Sequence, residues 1–553
     1  MKHWKLKAVL ATLLVFALYV VFQHPNLNPL YPESAFMYCV LITVLVAVFT
    51  LDRIGRVVAQ PGPVQGVPGS VRFERFQNGS RWPLILVAVL WGAYFIVWAG
   101  SSVLFQVNAF RDQMPELIQM DFAEDFDTTD TSQLPIVDKA MAQKLADKKL
   151  GERPSLGSQV VLGEPTLQQV NGKLVWAVPT YHSGVFKWLT NLEGTPGYVV
   201  VSAINPQDVQ YVDGYTIKYQ PCAYLWQNLM FYARFTAAPF TGLTDYSFEL
   251  DDSGQPYWVI TTYKYLRGFS LPEATGAVVL NCSTGESQRY SIDELPDWVD
   301  RVQPEDFIVT QLNNKGEYVH GYLNFSDKDK YRTSPGETLI YNDGSCYLFT
   351  GLTSVGGDES AIGFVMVDMV TKEPHLYRIS GATETAAQQS AQGEVQQYGY
   401  QAAFPLIVNL NSRPTYFMTL KDNEGLIKKY AYVSVEDYQT VGVGDTIDEA
   451  RLSYEKALRA GGSTMVGNVN SELTSLTGTV QRIGSEYNSS GSTYYLVLNE
   501  HPELLFSVQG SLSAELAITQ PGDQVKVEYY PRTSQAQELT SFDNLQFDQA
   551  DNG

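Results

Sequence analysis

Three long apolar runs open the chain. Ala8–Phe22, Ala35–Leu51 and Pro83–Phe105 extend over 15, 17 and 23 residues without a charged side chain. A helix needs about 20 residues to cross the hydrocarbon core of a bilayer, with roughly 17 tolerated, so the second and third runs predict spanning helices. The first is short, but Trp4, Lys5 and Lys7 can snorkel and lengthen it. A basic start and a short apolar core also fit a cleaved signal peptide. The following Gln23-His24-Pro25-Asn26 lacks the small-x-small cleavage pattern, which favours an uncleaved span. With no Asp, Glu, Lys, Arg or His inside the runs, residues 1–105 read as an anchor rather than an ion path or proton relay.

Beyond Phe105 the periodicity changes. Glu116, Asp121, Glu124, Asp125, Asp127 and Asp130 crowd the stretch Met114–Gln133. It lacks the glycine and the closing bidentate Glu of an EF-hand loop, and reads as a solvated acidic stalk over residues 106–134. Pro135–Leu150 predicts a helix, with Val137, Met141 and Leu145 recurring every four residues and Gly151 as the stop.

From there a pair of hairpins repeats four times. Thr166–Val170 meets Leu174–Tyr181 across Asn171-Gly172, a strong hairpin signal, and Gly197–Ala203 turns at Asn205-Pro206 into Val209–Val212. Similar pairs follow over 246–290, 338–379 and 405–443, rich in Tyr, Val, Ile and Thr. Helical stretches punctuate them at Cys222–Phe235, Ser291–Arg301, Ala382–Gln397 and Ile447–Arg459, the second opening on the capping-box spacing Ser291-Ile292-Asp293-Glu294. Helices alternating with antiparallel hairpins, rather than with single strands, predict an α+β fold. The units fall at 135–220, 221–302, 303–380 and 381–460. A Gly/Ser/Asn-rich linker occupies 461–472. Over 473–553, Leu476–Gly484, Thr493–Leu498, Leu504–Val508, Glu515–Ile518, Gln524–Tyr529 and Leu539–Phe547 predict short strands of a small OB- or SH3-like β-barrel.

Charge supplies an orientation. Residues 1–105 hold eight of the 38 Lys/Arg and three of the 59 acids; the remainder holds 30 bases and 56 acids, a net of −26. So acidic a domain is no general nucleic-acid binder. The bases of the anchor precede the first run (Lys2, Lys5, Lys7) or lie between the second and third (Arg53, Arg56, Arg72, Arg75, Arg81); Gln23–Ser34 has none. By the positive-inside rule the N-terminus is then cytoplasmic, and everything after Phe105 is extracytoplasmic. Cys222, Cys282 and Cys346 allow one disulfide with one thiol left over, or three separate thiols; their spacing does not choose.

The helix-then-hairpins pattern resembles the PepSY class of bacterial envelope domains. Trp298-Val299-Asp300-Arg301-Val302, Thr353–Ser360, Ser380-Gly381-Ala382-Thr383-Glu384 and Tyr416–Asp422 resemble a group of bacterial membrane-anchored proteins of unassigned activity. The resemblance covers roughly residues 135–460 and transfers no catalytic residue. It implies tandem PepSY-like units at a bacterial cytoplasmic membrane, and PepSY domains are associated with regulating extracytoplasmic peptidases and cell-wall hydrolases.

Chemistry is sparse. His182, His320, His375 and His501 lie far apart without metal-ligand spacing, and no G-x-S-x-G, P-loop or dinucleotide-binding glycine pattern occurs. No metal or cofactor is implied. The tyrosines alternate within the strands, as cross-strand packing requires. One loop stands out as a candidate interaction site: Thr353, Ser354, Gly356, Gly357, Asp358, Glu359 and Ser360 place small residues and two acids between apolar strands. The reading is a non-enzymatic membrane-anchored scaffold or interaction subunit of an envelope complex. Its partners would be the bilayer and envelope proteins, with homo-oligomerisation open. A regulator of an envelope peptidase or cell-wall hydrolase is the first alternative and an envelope hydrolase the second.

Overall fold

The computed structural model describes residues 2–54, 56–60, 70–74, 82–126, 129, 133–157, 159–325, 327–342, 344–355, 361–379, 381–410, 412–460, 474–488, 491–510, 512–529 and 536–547. The chain forms two compact units, residues 1–464 and 465–553.

The apolar runs become α1 (Lys2–Gln23), α2 (Pro32–Ile54) and α3 (Trp82–Gly100). Each contains a stretch long and apolar enough to cross a membrane. Between α2 and α3, β1 (Arg56–Gln60) and β2 (Ser70–Glu74) pair antiparallel. The side chains of residues 51–81, the five arginines included, lie outside the described residues. The third run, continuous to Phe105 in sequence, breaks in the structure: α3 stops at Gly100 and Ser101-Ser102 precedes α4 (Val103–Arg111).

The described residues of 106–134 do not form a solvated stalk. Met114 is fully buried, β3 (Ile118–Met120) joins the edge of a sheet, and α5 (Phe122–Asp125) brings Phe122 into the core beside Phe126. The Asp121 carboxylate caps α5 by accepting the Ala123 N–H at 2.8 Å. Acids meet solvent and cap a turn, while the few apolar residues among them carry the burial. Asp127 and Asp130 lie outside the described residues.

Four sheets follow, each preceded by a helix. α6 (Lys139–Gly151) starts after Asp138, which accepts the Met141 N–H at 2.9 Å. This is four residues later than the pattern suggests: the N-cap Asp138 is extended, and the Val137 carbonyl before it takes the Trp176 indole N–H at 2.7 Å. After α7 (Pro154–Gly157), the first sheet holds β4 (Val160–Leu162), β5 (Thr166–Val170), β6 (Lys173–His182), β7 (Thr195–Ser202) and β8 (Val209–Ile217), with α8 (Val185–Thr190) between β6 and β7. Asn171 and Gly172 both have positive φ, as the two-residue hairpin β5–β6 demands. α9 (Leu229–Thr236) leads to β9 (Gly242–Leu250), β10 (Pro256–Arg267), β11 (Ser270–Asn281) and β12 (Ser287–Ser291). α10 (Glu305–Glu317) leads to β13 (Tyr331–Thr333), β14 (Thr338–Asn342), β15 (Ser345–Ser354), β16 (Ala361–Asp368) and β17 (Pro374–Tyr377), with β3 parallel to β17 at the edge. α11 (Glu384–Glu394) leads to β18 (Gln401–Ala402), β19 (Leu406–Leu410), β20 (Arg413–Lys421), β21 (Ile427–Ser434) and β22 (Val441–Gly444), and α12 (Ile447–Ala460) closes the series. In every sheet four consecutive strands form an antiparallel meander.

One helix is misplaced by the sequence pattern. Ser291–Glu294 has the capping-box spacing and the Ser291 hydroxyl does bond the Glu294 carboxylate at 2.8 Å, but only a 3₁₀ turn forms. Pro296 removes a backbone donor and keeps Leu295 extended, so the helix is delayed to Glu305. The extended segment instead lays Val299 and Val302 over Val259, Ala277 and Val279 of the second sheet.

Neighbouring sheets share their cores. Ala177, Tyr198 and Ile217 of the first sheet pack with Phe248, Trp258 and Ile260 of the second around Leu229 and Ala233 of α9. Phe349, Phe364 and Tyr377 of the third pack with Tyr416, Met418 and Val433 of the fourth around Ala387 and Ala391 of α11. Second and third are joined by backbone bonds from Val302 and Gln303 to the Met369 carbonyl. The fourth returns to the start through Lys421, which bonds the N-cap Asp138 of α6.

In the second unit, β23 (Thr474–Asn488), β24 (Gly491–Leu498), β25 (His501–Gln509), β26 (Gln524–Tyr529) and β27 (Ala536–Asn544) form a closed ring in the order β23-β24-β25-β27-β26, with β25 and β27 parallel. The stretch Glu515–Ile518, which the pattern reads as a strand, instead overlaps a 3₁₀ turn over Ala514–Ala517, capped by the Ser513 hydroxyl on the Glu515 N–H. The linker 461–472 lies outside the described residues.

The shared cores generate a prediction. Trp258 is 1% exposed and its indole bonds the Tyr219 carbonyl at 2.7 Å. Trp258→Ala should destabilise the first unit by about 3–5 kcal/mol. Hydrogen exchange should then show residues 166–217 and 242–291 losing protection together; loss confined to 242–291 would mean that the two sheets are independent.

Candidate functional site: a buried charge centre and a membrane-side junction

The stretch Trp298–Val302 leads into the centre of the first unit. The Asp300 carboxylate accepts the Gln169 N–H at 2.7 Å and the Tyr341 hydroxyl at 3.0 Å; that hydroxyl also reaches the Leu167 carbonyl at 3.2 Å. One carboxylate thereby ties the first sheet, the third sheet and the connector between second and third. Beside it, Glu249 of β9 is fully buried. Its carboxylate accepts the Ser247 hydroxyl through one oxygen, while the other has no hydrogen-bond partner. Arg301 lies 3.5 Å from the Glu305 carboxylate.

Burial pushes the Glu249 carboxyl up to about 7, against the smaller opposing pull of the Ser247 bond and the Arg301 charge. Burial likewise raises Asp300 and Glu305. For Arg301 burial favours loss of the proton, but the facing carboxylates, Glu249 first, outweigh it and raise its affinity. The Cys346 thiol is pushed up to about 12, mainly by burial, so it is no thiolate nucleophile at neutral pH.

A cavity lined by Asp245, Ser247, Thr261, Arg301, Gln303 and Glu305 adjoins these groups, but its volume is about 10 Å³. That cavity has room for a water. Glu249 binds its proton more tightly folded, near 7, than at the ordinary value of 4.5. The folded state is therefore the more protonated between those values, and stability should fall as pH rises from about 4.5 to 7. The drop amounts to roughly 3 kcal/mol at 1.36 kcal/mol per pH unit. Glu249→Gln should flatten this fall in thermal unfolding of the full chain between pH 5 and 8; an unchanged slope would assign it to other groups.

The candidate loop fares differently. Thr353 and Ser354 sit in the ladder of β15 opposite Arg332 and Tyr331 of β13, and Thr353 is buried. Gly356, Gly357, Asp358, Glu359 and Ser360 lie outside the described residues. His320, His375 and His501 each face one carboxylate, Asp329 at 2.7 Å, Glu373 at 2.9 Å and Glu503 at 3.4 Å. Among the described residues no three His, Cys, Asp or Glu side chains are grouped to hold a metal ion. All four cysteines are free, Cys222 exposed and Cys282 and Cys346 buried.

A second polar assembly joins the spans to the sheets. Tyr31, in the connection between α1 and α2, accepts the Gly242 N–H at 2.8 Å and donates to the Tyr263 carbonyl at 2.6 Å. Its ring stands edge-on to Tyr263 and Tyr265. Asn28 bonds the Phe240 carbonyl at 2.9 Å. At the end of α3, the Ser101 hydroxyl accepts the Phe269 N–H at 2.9 Å. Gly268 has φ +55°, and a Cβ there would overlap that hydroxyl. Further on, Gln113 donates to the Pro272 carbonyl at 2.7 Å and to Glu273 at 3.0 Å, while Lys372 bonds both Glu273 and the Gln113 carbonyl. None of these partners is near its mate in sequence, and Gln23–Ser34 carries no signal beyond a tyrosine among turn residues.

No family model matches this chain, and no curated protein matches it. Among solved structures it is similar to a levansucrase variant of B. megaterium at 7% identity and a TM-score of 0.19, over 75% of this chain and 97% of that one. It is also similar to the Cellvibrio cellulosa alpha-L-arabinanase (10%, TM-score 0.16, 55% and 79%) and to an exo-beta-1,3-galactanase of Phanerochaete chrysosporium (10%, TM-score 0.16, 61% and 60%). Likenesses of this size establish neither a fold nor an activity for this chain.

Proposed function

We propose that the protein is a membrane-anchored scaffold or interaction subunit of a bacterial envelope complex, with residues after Phe105 outside the cytoplasm. The observation that carries the reading is the junction at Tyr31, Asn28, Ser101 and Gln113: the spans and the sheets are bonded together at several points rather than joined by a tether. A domain held in that way presents its loops and strand edges at a set height and orientation, which suits assembly of partners along a membrane. The repeated helix-plus-meander supports tandem PepSY-like units. The ring order β23-β24-β25-β27-β26 supports an OB-like barrel. The arrangement of bases around the spans supports a cytoplasmic N-terminus.

Cross-linking in intact cells, purification through the C-terminus and mass spectrometry test the role. The expected result is one stoichiometric set of envelope proteins; a peptidase or cell-wall hydrolase in the set would turn the scaffold into a regulator, and recovery of the protein alone would count against both. Orientation is tested separately. Cys222 is the exposed thiol outside the spans, and a membrane-impermeant maleimide should label it in intact cells but not in a Cys222→Ser variant. Labelling only after lysis would reverse the topology.

A further inference from the structure

Where α1 leaves the span and α9 of the second sheet approaches it, an apolar groove of about 500 Å³ opens sideways. Phe16, Ala17, Val20 and Val21 of α1 form one wall, Tyr38 of α2 another, and Phe231 and Phe235 of α9 the roof. Phe231 and Phe235 are four residues apart and so share one helix face. The Tyr38 hydroxyl is already spent on the Leu27 carbonyl at 2.8 Å, which leaves its ring to the groove. Every lining surface is therefore apolar.

We propose that this groove seats one acyl chain of a phospholipid from the leaflet on the side of the sheets. The inference rests on the spans crossing a bilayer and not on the scaffold role. Three observations favour lipid over other occupants. First, the α1 wall belongs to the stretch Trp4–Gln23, none of which is buried in the protein, so hydrocarbon already surrounds it and water has no polar partner in the groove. Second, the groove measures about 500 Å³, far beyond the roughly 10–15 Å³ that one water needs, so it has room for an extended apolar chain. Third, the surface leading to α9 is built for the interface. Trp188 packs against Tyr224 and Trp226 with ring centroids 5.3 and 6.4 Å away, and outside them Phe186 (79% exposed), Trp226 (56%) and Leu189 (54%) face outward. Trp226 stands two residues before Asn228, the N-cap of α9, and Phe231 of α9 meets His24 just past α1 at 5.2 Å; exposed aromatic and aliphatic residues in such a place match the aromatic belt of the membrane–water boundary. In aqueous solvent the same cluster would be an unusual apolar patch. α8 and α9 thus lie in the headgroup region, and the lipid beneath α9 fills the space between the second sheet and the spans.

Benzoylphenylalanine placed at Phe235 in the full chain, irradiated in native membranes, tests the site. The expected adduct is a single phospholipid per chain, and Ala17→Trp, which fills the groove from α1, should lower its yield at least fivefold while leaving the unfolding temperature unchanged. An equal yield with Ala17→Trp, or adducts to a second copy or another protein instead of lipid, would overturn the assignment. The same probe at Leu14, on the exposed face of α1, should form lipid adducts irrespective of the groove; failure at Leu14 as well would sink the membrane reading itself. The scaffold role is untouched by either result, since it stands on the recovered partners.

Discussion

A sheet that is apolar on both faces must be covered on both, and most of this structure follows from that requirement. Trp258 and Val259 are neighbours on β10, yet the first enters the core shared with the first sheet and the second meets Val299 and Val302 on the opposite side. On β16, Phe364 and Met366 face the fourth sheet while Val365 and Val367 face Ile308 and Leu312 of α10. Each side chain of that size contributes about 1.5–3 kcal/mol on leaving water. No sheet can collect that stabilisation alone. The helices between sheets serve as fillers: α9, α10 and α11 each contribute small or aliphatic residues to the space beside a meander.

Closing the series of sheets brings charged connectors into the interior. A buried ion costs several kcal/mol unless it is paired and hydrogen-bonded. The protein meets that cost in two ways. Asp300 stays a useful acceptor by taking a backbone N–H and a tyrosine hydroxyl. Glu249, with one oxygen unpartnered, is instead pushed toward the neutral acid. The centre has perturbed acids, as active sites do, and through Asp300 it ties the first sheet to the third and to the connector before it.

The junction with the spans obeys the same accounting of polar groups. Gly242 and Phe269 would leave buried or half-buried N–H groups at the ends of strands, and hydroxyls of Tyr31 and Ser101 satisfy them. Just beyond Ser101 the extended backbone of Ser102 (φ −69°, ψ 157°) interrupts the helix, so an apolar run of 23 residues yields a 19-residue helix followed by a separate α4. The result couples the orientation of the second sheet to that of α1–α3. Both the proposed scaffold role and the lipid beneath α9 draw on that coupling.

Local patterns in the chain were enough to specify the apolar helices, the Asn171-Gly172 hairpin, the four pairs of hairpins and most strands of the ring. These depend on periodicity and on residues with strong backbone preferences, which act over a few positions. The failures have the same root. Ser291-x-x-Glu294 carries a cap signal that Pro296 cancels, and the acidic composition of 106–134 conceals Met114, Phe122 and Phe126, whose burial depends on a distant sheet. The candidate loop at Thr353 and Ser354 stands out in sequence by its local small residues and acids, whereas the charge centre draws Gln169, Glu249, Asp300 and Tyr341 from four separate stretches. Sequence by itself determined that this chain has apolar spans, an acidic α+β domain and a small terminal β-unit, because hydropathy and net charge are properties of composition. Only the tertiary structure decided which sheets share a core, which acid holds its proton more tightly than usual and where the apolar helices meet the domain, because each rests on contacts between residues tens to hundreds of positions apart.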